Sequence, residues 1–122
     1  MAVSENLILD LTLKFALTII EFSETLEEKR KYVIANQILK SGCSIGANVN
    51  EAQSAESKQD FIHKMKVASK EAEETEYWLT LCKLSKTYPF REELMIEVIN
   101  IKKVLSKIIS TSKGKSAHKQ IN

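Results

Sequence analysis

From Phe61 to Cys82, apolar and small residues return at alternating steps of four and three: Phe61, Met65, Ala68, Ala72, Thr75, Leu79 and Cys82. A period of three and a half residues describes a helix that offers one seam to a neighbour, and it excludes a strand, whose period is two. The seam is bulky at its ends and small at Ala68 and Ala72, as expected where antiparallel helices cross at about 20°. Such a helix needs partners, and the rest of the chain supplies them. Three Gly and one Pro in 122 residues are too few turn formers for a sandwich or a barrel. The fold class that follows is all-α, an antiparallel up-down-up-down four-helix bundle.

The first helix is expected from about Ser4 to Ser23. Ile8, Leu11, Phe15, Ile19 and Phe22 form one apolar stripe, and Leu9, Leu13, Ala16, Leu17 and Ile20 form a second beside it. Together they exceed the third of the circumference that a surface helix buries, so the surplus points to packing against another copy of the chain. Thr25 to Glu28 reads as a capping box, which would start helix two at Leu26 and carry it to about Gln53. Ser57, followed by Asp60, caps helix three, expected to run to about Lys86. Pro89 is placed in the first turn of helix four, whose seam is Leu94, Val98, Ile101, Leu105 and Ile108. The bundle occupies residues 1–110. Residues 111–122 read as a basic, polar tail without order.

The stretch from Lys40 to Ala52 holds two of the three glycines, four residues apart. A phosphate loop of Walker type needs Gly-x-x-x-x-Gly-Lys-Ser/Thr, and neither that spacing nor its lysine is present. Read as helix, Ser41, Gly42, Ser44, Gly46 and Asn48 form a shallow groove, with Ala68 and Ala72 of helix three as its occupant. Two helical glycines cost about 1 kcal/mol each against alanine, so close packing must offset them. Asn48 is the polar residue closest to this groove; with Asn50, Glu51 and Gln53 it is expected to hydrogen-bond the following loop and the start of helix three, ligand binding being the alternative.

Chemistry-bearing constellations are thin. Glu71, Glu73, Glu74 and Glu76 lack the Glu-x-x-His partners of a di-metal bundle, and neither His63 nor His118 supplies one; Glu71 is expected to flank the seam and pair with Lys40. Cys43 and Cys82 lie in helices, not beside an activating base. Catalytic residues, cofactors and metals are therefore not expected. Two separate thiols and the lack of a basic leader suggest a cytoplasmic protein, and Asp10 and Lys14 break the first apolar run below membrane-spanning length. Eighteen basic and sixteen acidic side chains give a formal charge of +2. Lys29, Arg30, Lys40, Lys102, Lys103 and Lys107 are the candidate nucleic-acid contacts, weak singly and stronger if several copies surround an axis.

Ser41-Gly42-Cys43-Ser44-Ile45-Gly46-Ala47-Asn48-Val49-Asn50-Glu51-Ala52 resembles the signature of the 23S rRNA intervening-sequence protein family: a basic residue and Ser, then Ser-Ile-Gly-Ala-Asn-Ile/Val and an acidic residue. Asp60-Phe61, Ala68-Ser69-Lys70-Glu71-Ala72 and Glu76-Tyr77-Trp78-Leu79 match its second block. The resemblance spans nearly the whole chain except the tail. Lys40 stands where arginine is commoner, and Glu51-Ala52-Gln53 replaces a frequent Glu-Gly. The resemblance implies a four-helix protomer assembling into a homopentamer, without enzymatic activity. A related branch, the accessory variability proteins of diversity-generating retroelements, binds nucleic acid and a reverse transcriptase and is more basic than this chain. The expected roles are a scaffold associated with RNA or DNA, or an adaptor whose partner is another protein.

Overall fold

The computed structural model describes residues 3–121, with side chains from 5 to 114. Four helices follow one another: α1 (Val3–Glu28), α2 (Tyr32–Ala52), α3 (Lys58–Leu84) and α4 (Glu92–Ile121). Each packs against its neighbours in sequence, and α4 returns to α1; among the described residues the diagonal pairs α1/α3 and α2/α4 bring no Cα atoms within 8 Å of each other. The result is the expected all-α four-helix bundle.

The seams meet in one core. Ile8, Phe15, Ile19, Phe22 and Leu26 come from α1, and Ile38, Ile45 and Val49 from α2. Met65, Ala68, Ala72, Leu79 and Cys82 come from α3, and Leu94, Val98, Ile101, Leu105 and Ile108 from α4. Phe61 packs half-buried at the edge. Burying a large aliphatic or aromatic side chain of this kind contributes about 1.5–3 kcal/mol.

Three boundaries differ from the sequence expectation. The first is the α1/α2 junction. Thr25 does not cap a new helix; its hydroxyl donates to the Glu21 carbonyl at 3.2 Å, and α1 continues through it to Glu28. The turn comes at Lys29-Arg30-Lys31. Arg30 adopts a left-handed φ of 63°. The Lys31 N–H reaches the Leu26 carbonyl and the Arg30 N–H the Glu27 carbonyl, both at 2.8 Å. That pair of bonds is a Schellman motif, which satisfies the last carbonyls of α1 without a glycine. Because α2 starts at Tyr32, it has 21 residues and spans about 32 Å.

The second difference is Pro89, which precedes α4 instead of opening it. Residues 85–91 form a non-helical link, bent at 86–88, that carries two half-buried aromatics, Tyr88 and Phe90. Lys31 Nζ sits 4.9 Å from the Tyr88 ring centre and Lys83 Nζ 5.7 Å from that of Phe90, both as cation–π contacts. The third is the C-terminal segment: the backbone of α4 is helical as far as Ile121. The side chains of residues 115–122, which include most of the segment read as a tail, lie outside the described residues.

The Ser57 cap forms as its sequence requires. Asp60 donates its N–H to Ser57 Oγ at 3.0 Å, and its carboxylate accepts the Glu56 N–H at 3.3 Å. One first-turn donor and the N–H of the residue before the cap are thereby satisfied.

Candidate functional site

The Lys40–Ala52 stretch is continuous helix within α2, so it is no ligand loop. Its glycines do not meet Ala68 and Ala72. A Cβ added at Gly42 would fall 2.9 Å from Ile19 Cγ2, and one at Gly46 would fall 3.4 Å from Thr12. The thin face of α2 therefore receives α1, while Ala68 and Ala72 are buried on α3. Helical geometry explains the difference, since the α3-facing side of α2 is marked by the adjacent position, Ser41, about 100° round the helix. Ser41 Oγ lies 2.9 Å from Thr75 Oγ1, which lies 2.8 Å from the Glu71 carbonyl. Thr75 has one hydrogen to give; donating it to the carbonyl leaves its oxygen to accept from Ser41, which satisfies both buried hydroxyls.

The polar residues of this stretch are occupied locally. Ser44 donates to the Lys40 carbonyl at 2.7 Å, and the Asn48 amide donates to the Ser44 carbonyl at 2.8 Å. Asn50 and Gln53 repeat the pattern on Gly46 and Val49. Glu51 leaves α2 to pair with Lys64 at 3.6 Å. Ser44, Asn48, Asn50 and Gln53 thus bond backward to their own helix instead of to the following loop, and of the expected contacts to the start of α3 the one formed is that of Glu51.

The candidate basic residues do not share one surface. Lys29 and Arg30 lie at the α1/α2 turn, at one end of the bundle, and Lys40 is exposed on α2. Lys102 is engaged: its Nζ donates to Glu76 Oε1 at 2.7 Å, tying α4 to α3 with both side chains about one-third exposed. Lys103 and Lys107 are exposed on α4.

The acidic and thiol groups are structural in their surroundings. Partial burial raises the pKa of Glu71, Glu74 pushes the same way, and the nearby Lys40 ammonium opposes them. Burial raises the Cys43 thiol and pushes Cys82 up to about 11. Both shifts run opposite to the activation of a nucleophilic thiol. Among the described residues, no three His, Cys, Asp or Glu side chains converge to hold a metal, and no helix is long and apolar enough to cross a membrane. His63 is exposed on α3, and His118 lies outside the described side chains.

The surface feature that stands out is apolar. Of the second α1 stripe, Leu13 is 59% exposed and Leu17 57%, and Ile20 also stands open, whereas Leu9 and Ala16 are half-buried. The stripe lies on the α2 side of α1, one step round from Thr12 and Ile19, which face the glycines. Across the crevice, Leu39 and Cys43 are half-buried and Ala47 is exposed, on the corresponding outer side of α2. No charged residue occurs among these eight positions. Further apolar side chains stand exposed elsewhere, on α3 at Tyr77, Leu81 and Leu84 and on α4 at Ile96 and Ile99. The α3 and α4 groups are absent from the sequence reading; their spacings of three and four outside the seam were the available signal.

The profile of the 23S rRNA-intervening sequence protein family matches residues 4–111. No functionally curated protein matches the chain. Among solved structures, the chain is similar to a protein of unknown function from the S23 ribosomal protein family of Bacteroides thetaiotaomicron VPI-5482. The two share 41% identity and a TM-score of 0.83, over 88% of this chain and 98% of the other. The match begins on α1 and reaches α4, so it takes in all four helices. This four-helix chain belongs to the 23S rRNA-intervening sequence protein family.

Proposed function

We propose that the protein is a non-enzymatic assembly module whose α1/α2 face packs against another copy, giving a homo-oligomer of the five-membered kind implied by the family resemblance. The observation that carries this reading is the uncharged stripe of Leu13, Leu17 and Ile20 continued by Ala47 across the crevice. Large contiguous apolar surface on a folded chain marks an interaction site. The separate group at Tyr77, Leu81 and Leu84 lies on α3, diagonal to α1. Two unlike apolar surfaces on different sides suit a head-to-tail contact, the kind that closes rings, better than a two-fold dimer. The raised thiol pKa values of Cys43 and Cys82 support a non-catalytic role, and two unpaired thiols suit the cytoplasm.

In this reading the assembly is a scaffold for RNA or DNA, with Lys103 and Lys107 repeated around the ring as outward charges. A second reading, a protein adaptor without a nucleic-acid role, is favoured by one observation: Lys102 is committed to Glu76, and the other basic residues are dispersed.

Light scattering on the full chain tests the assembly. The wild type should run as a multiple of the 13.8 kDa protomer. Leu13→Glu with Leu17→Glu should run as a folded monomer, its helicity intact because both sites are exposed. A wild-type monomer at micromolar concentration would refute the reading. Nucleic-acid affinity that falls as salt rises separates the scaffold from the adaptor.

A further inference from the structure

The α3/α4 side of the bundle carries a feature that the assembly does not use. A groove of about 320 Å³ opens between the two helices, lined by Ser69 from α3 and by Ser106, Ile109, Ser110 and Lys113 from α4. Its size is at the small end of ligand clefts, which run from about 300 to 1,000 Å³. Lys66, one turn before Ser69 on α3, lies close enough to Lys113 for the two like charges to act on each other. Two ammonium groups thus approach each other beside a groove that carries three hydroxyls.

Among the described residues, nothing compensates the charge of that pair. Among the described residues no ion pair engages Lys66 or Lys113, although Lys14, Lys64, Lys83, Arg91 and Lys102 all find carboxylates. None of the groove-lining side chains is a carboxylate. The hydrogen bond with Lys113, and then its like charge, pull the Lys66 pKa below the usual lysine range. An anion placed between the ammonium groups would relieve that repulsion. Serine hydroxyls add neutral donors, a combination suited to a tetrahedral oxyanion carrying several acceptor oxygens.

We propose that the α3/α4 groove lined by Ser69, Ser106, Ser110 and Lys113, with Lys66 beside it, binds a phosphate group, presented by a polynucleotide backbone or as free phosphate. Neither lysine is among the six candidate nucleic-acid contacts named from the sequence. Only the polynucleotide source rests on the nucleic-acid reading above; the groove itself does not.

The test uses the full chain, an oligouridylate of twelve nucleotides and inorganic phosphate. Fluorescence anisotropy across a salt series should show oligouridylate binding to the wild type. Lys66→Gln with Lys113→Gln should weaken it about tenfold and flatten the slope of log affinity against log salt by about 1.4, two contacts at about 0.7 each on a single strand. Ser106→Ala with Ser110→Ala should weaken binding without moving the slope, because neutral hydroxyls release no counterions. Lys86→Gln, an exposed position at the far end of the bundle, should leave affinity and slope unchanged. Amide NMR shifts of Ser69, Ser106 and Ser110 should respond to inorganic phosphate and lose that response in the lysine variant. If phosphate moves these amides and oligouridylate does not bind, the groove proposal stands with free phosphate as its source, and the nucleic-acid reading fails. If oligouridylate binds with an unchanged slope in the lysine variant, the groove proposal is overturned and the nucleic-acid reading survives. Silence of the groove amides toward both ligands also overturns it.

Discussion

Gly42→Ala should destabilise the bundle, whereas Gly46→Ala should stabilise it or leave it unchanged. Both changes gain about 0.8–1 kcal/mol of helix propensity. They differ in what the new methyl meets. At Gly42 it would sit 2.9 and 3.0 Å from the two γ carbons of Ile19 and 3.3 Å from its Cβ. Carbon atoms rest at about 3.5–4.0 Å, so the contact is short by more than half an ångström. Ile19 is fully buried and cannot swing into solvent. Relief requires α1 to move away from α2, or Ile19 to leave its rotamer. Overpacking of this kind costs about 1–3 kcal/mol, for a net loss of about 0.5–2 kcal/mol after the propensity gain. At Gly46 the methyl would meet Thr12 at 3.4 Å, close to ordinary contact, and the propensity gain survives. Urea unfolding at one fixed protomer concentration measures both, since self-association makes apparent stability depend on concentration. With a shared slope of about 1–3 kcal/mol per molar urea, the two midpoints should separate by about 0.5–1 M. Equal midpoints, or a Gly42→Ala variant more stable than wild type, would refute the claim that close approach of α1 selects glycine at position 42.

Other consequences are measurable on the same material. Arg30→Gly should stabilise the chain by about 1 kcal/mol in thermal unfolding, because the left-handed backbone that strains arginine is open to glycine. Ser41→Ala and Thr75→Val should each destabilise by about 1–3 kcal/mol, and the double variant should cost less than their sum, as a double-mutant cycle would show; additive losses would mean the buried hydroxyls are not coupled. Cys82 should resist iodoacetamide at pH 8 while Cys43 reacts first, read by mass spectrometry. The raised Cys82 pKa means the folded state holds its proton longer than the unfolded one, so this group's contribution to stability is full below pH 9 and is lost as pH rises toward 11.

Much of the fold was legible because seams repeat. All five expected seam residues of α4 are buried, and on α3 every seam residue from Met65 to Cys82 is buried. Ser57 announced its cap through the residue three places on. The α1/α2 junction was not legible. Thr-x-x-Glu occurs at helix starts, but a threonine inside a helix can return its hydrogen bond to the preceding turn, as Thr25 does. The true turn hid because an arginine, not a glycine, took the left-handed position. The position of Pro89 ahead of α4 is not legible either, since the link's aromatic contacts come from Lys31 and Lys83, remote or indistinct in the sequence. For the candidate site, periodicity exposed the surplus on α1 but could not say which helix the glycines receive. Small residues at 42, 46, 68 and 72 could have paired with one another; only the rotational setting of α2 assigns 42 and 46 to α1. The Lys66–Lys113 approach was equally invisible, because nothing in a sequence brings together residues 47 positions apart.

The pattern of neighbours also bears on how the chain reaches its native state. Three of the four helix interfaces join consecutive helices across short links, and only α4 against α1 spans the length of the bundle. Low sequence separation between contacting residues makes for rapid folding, in microseconds to milliseconds for helical bundles. Helical hairpins can zip in turn from local contacts alone. The long-range closure is then left to α4, whose arrival seals Val98, Ile101 and Leu105 into the core. Substitutions that weaken the α1/α4 seam should therefore speed unfolding more than they slow folding, making that seam the place where the lifetime of the native state is set.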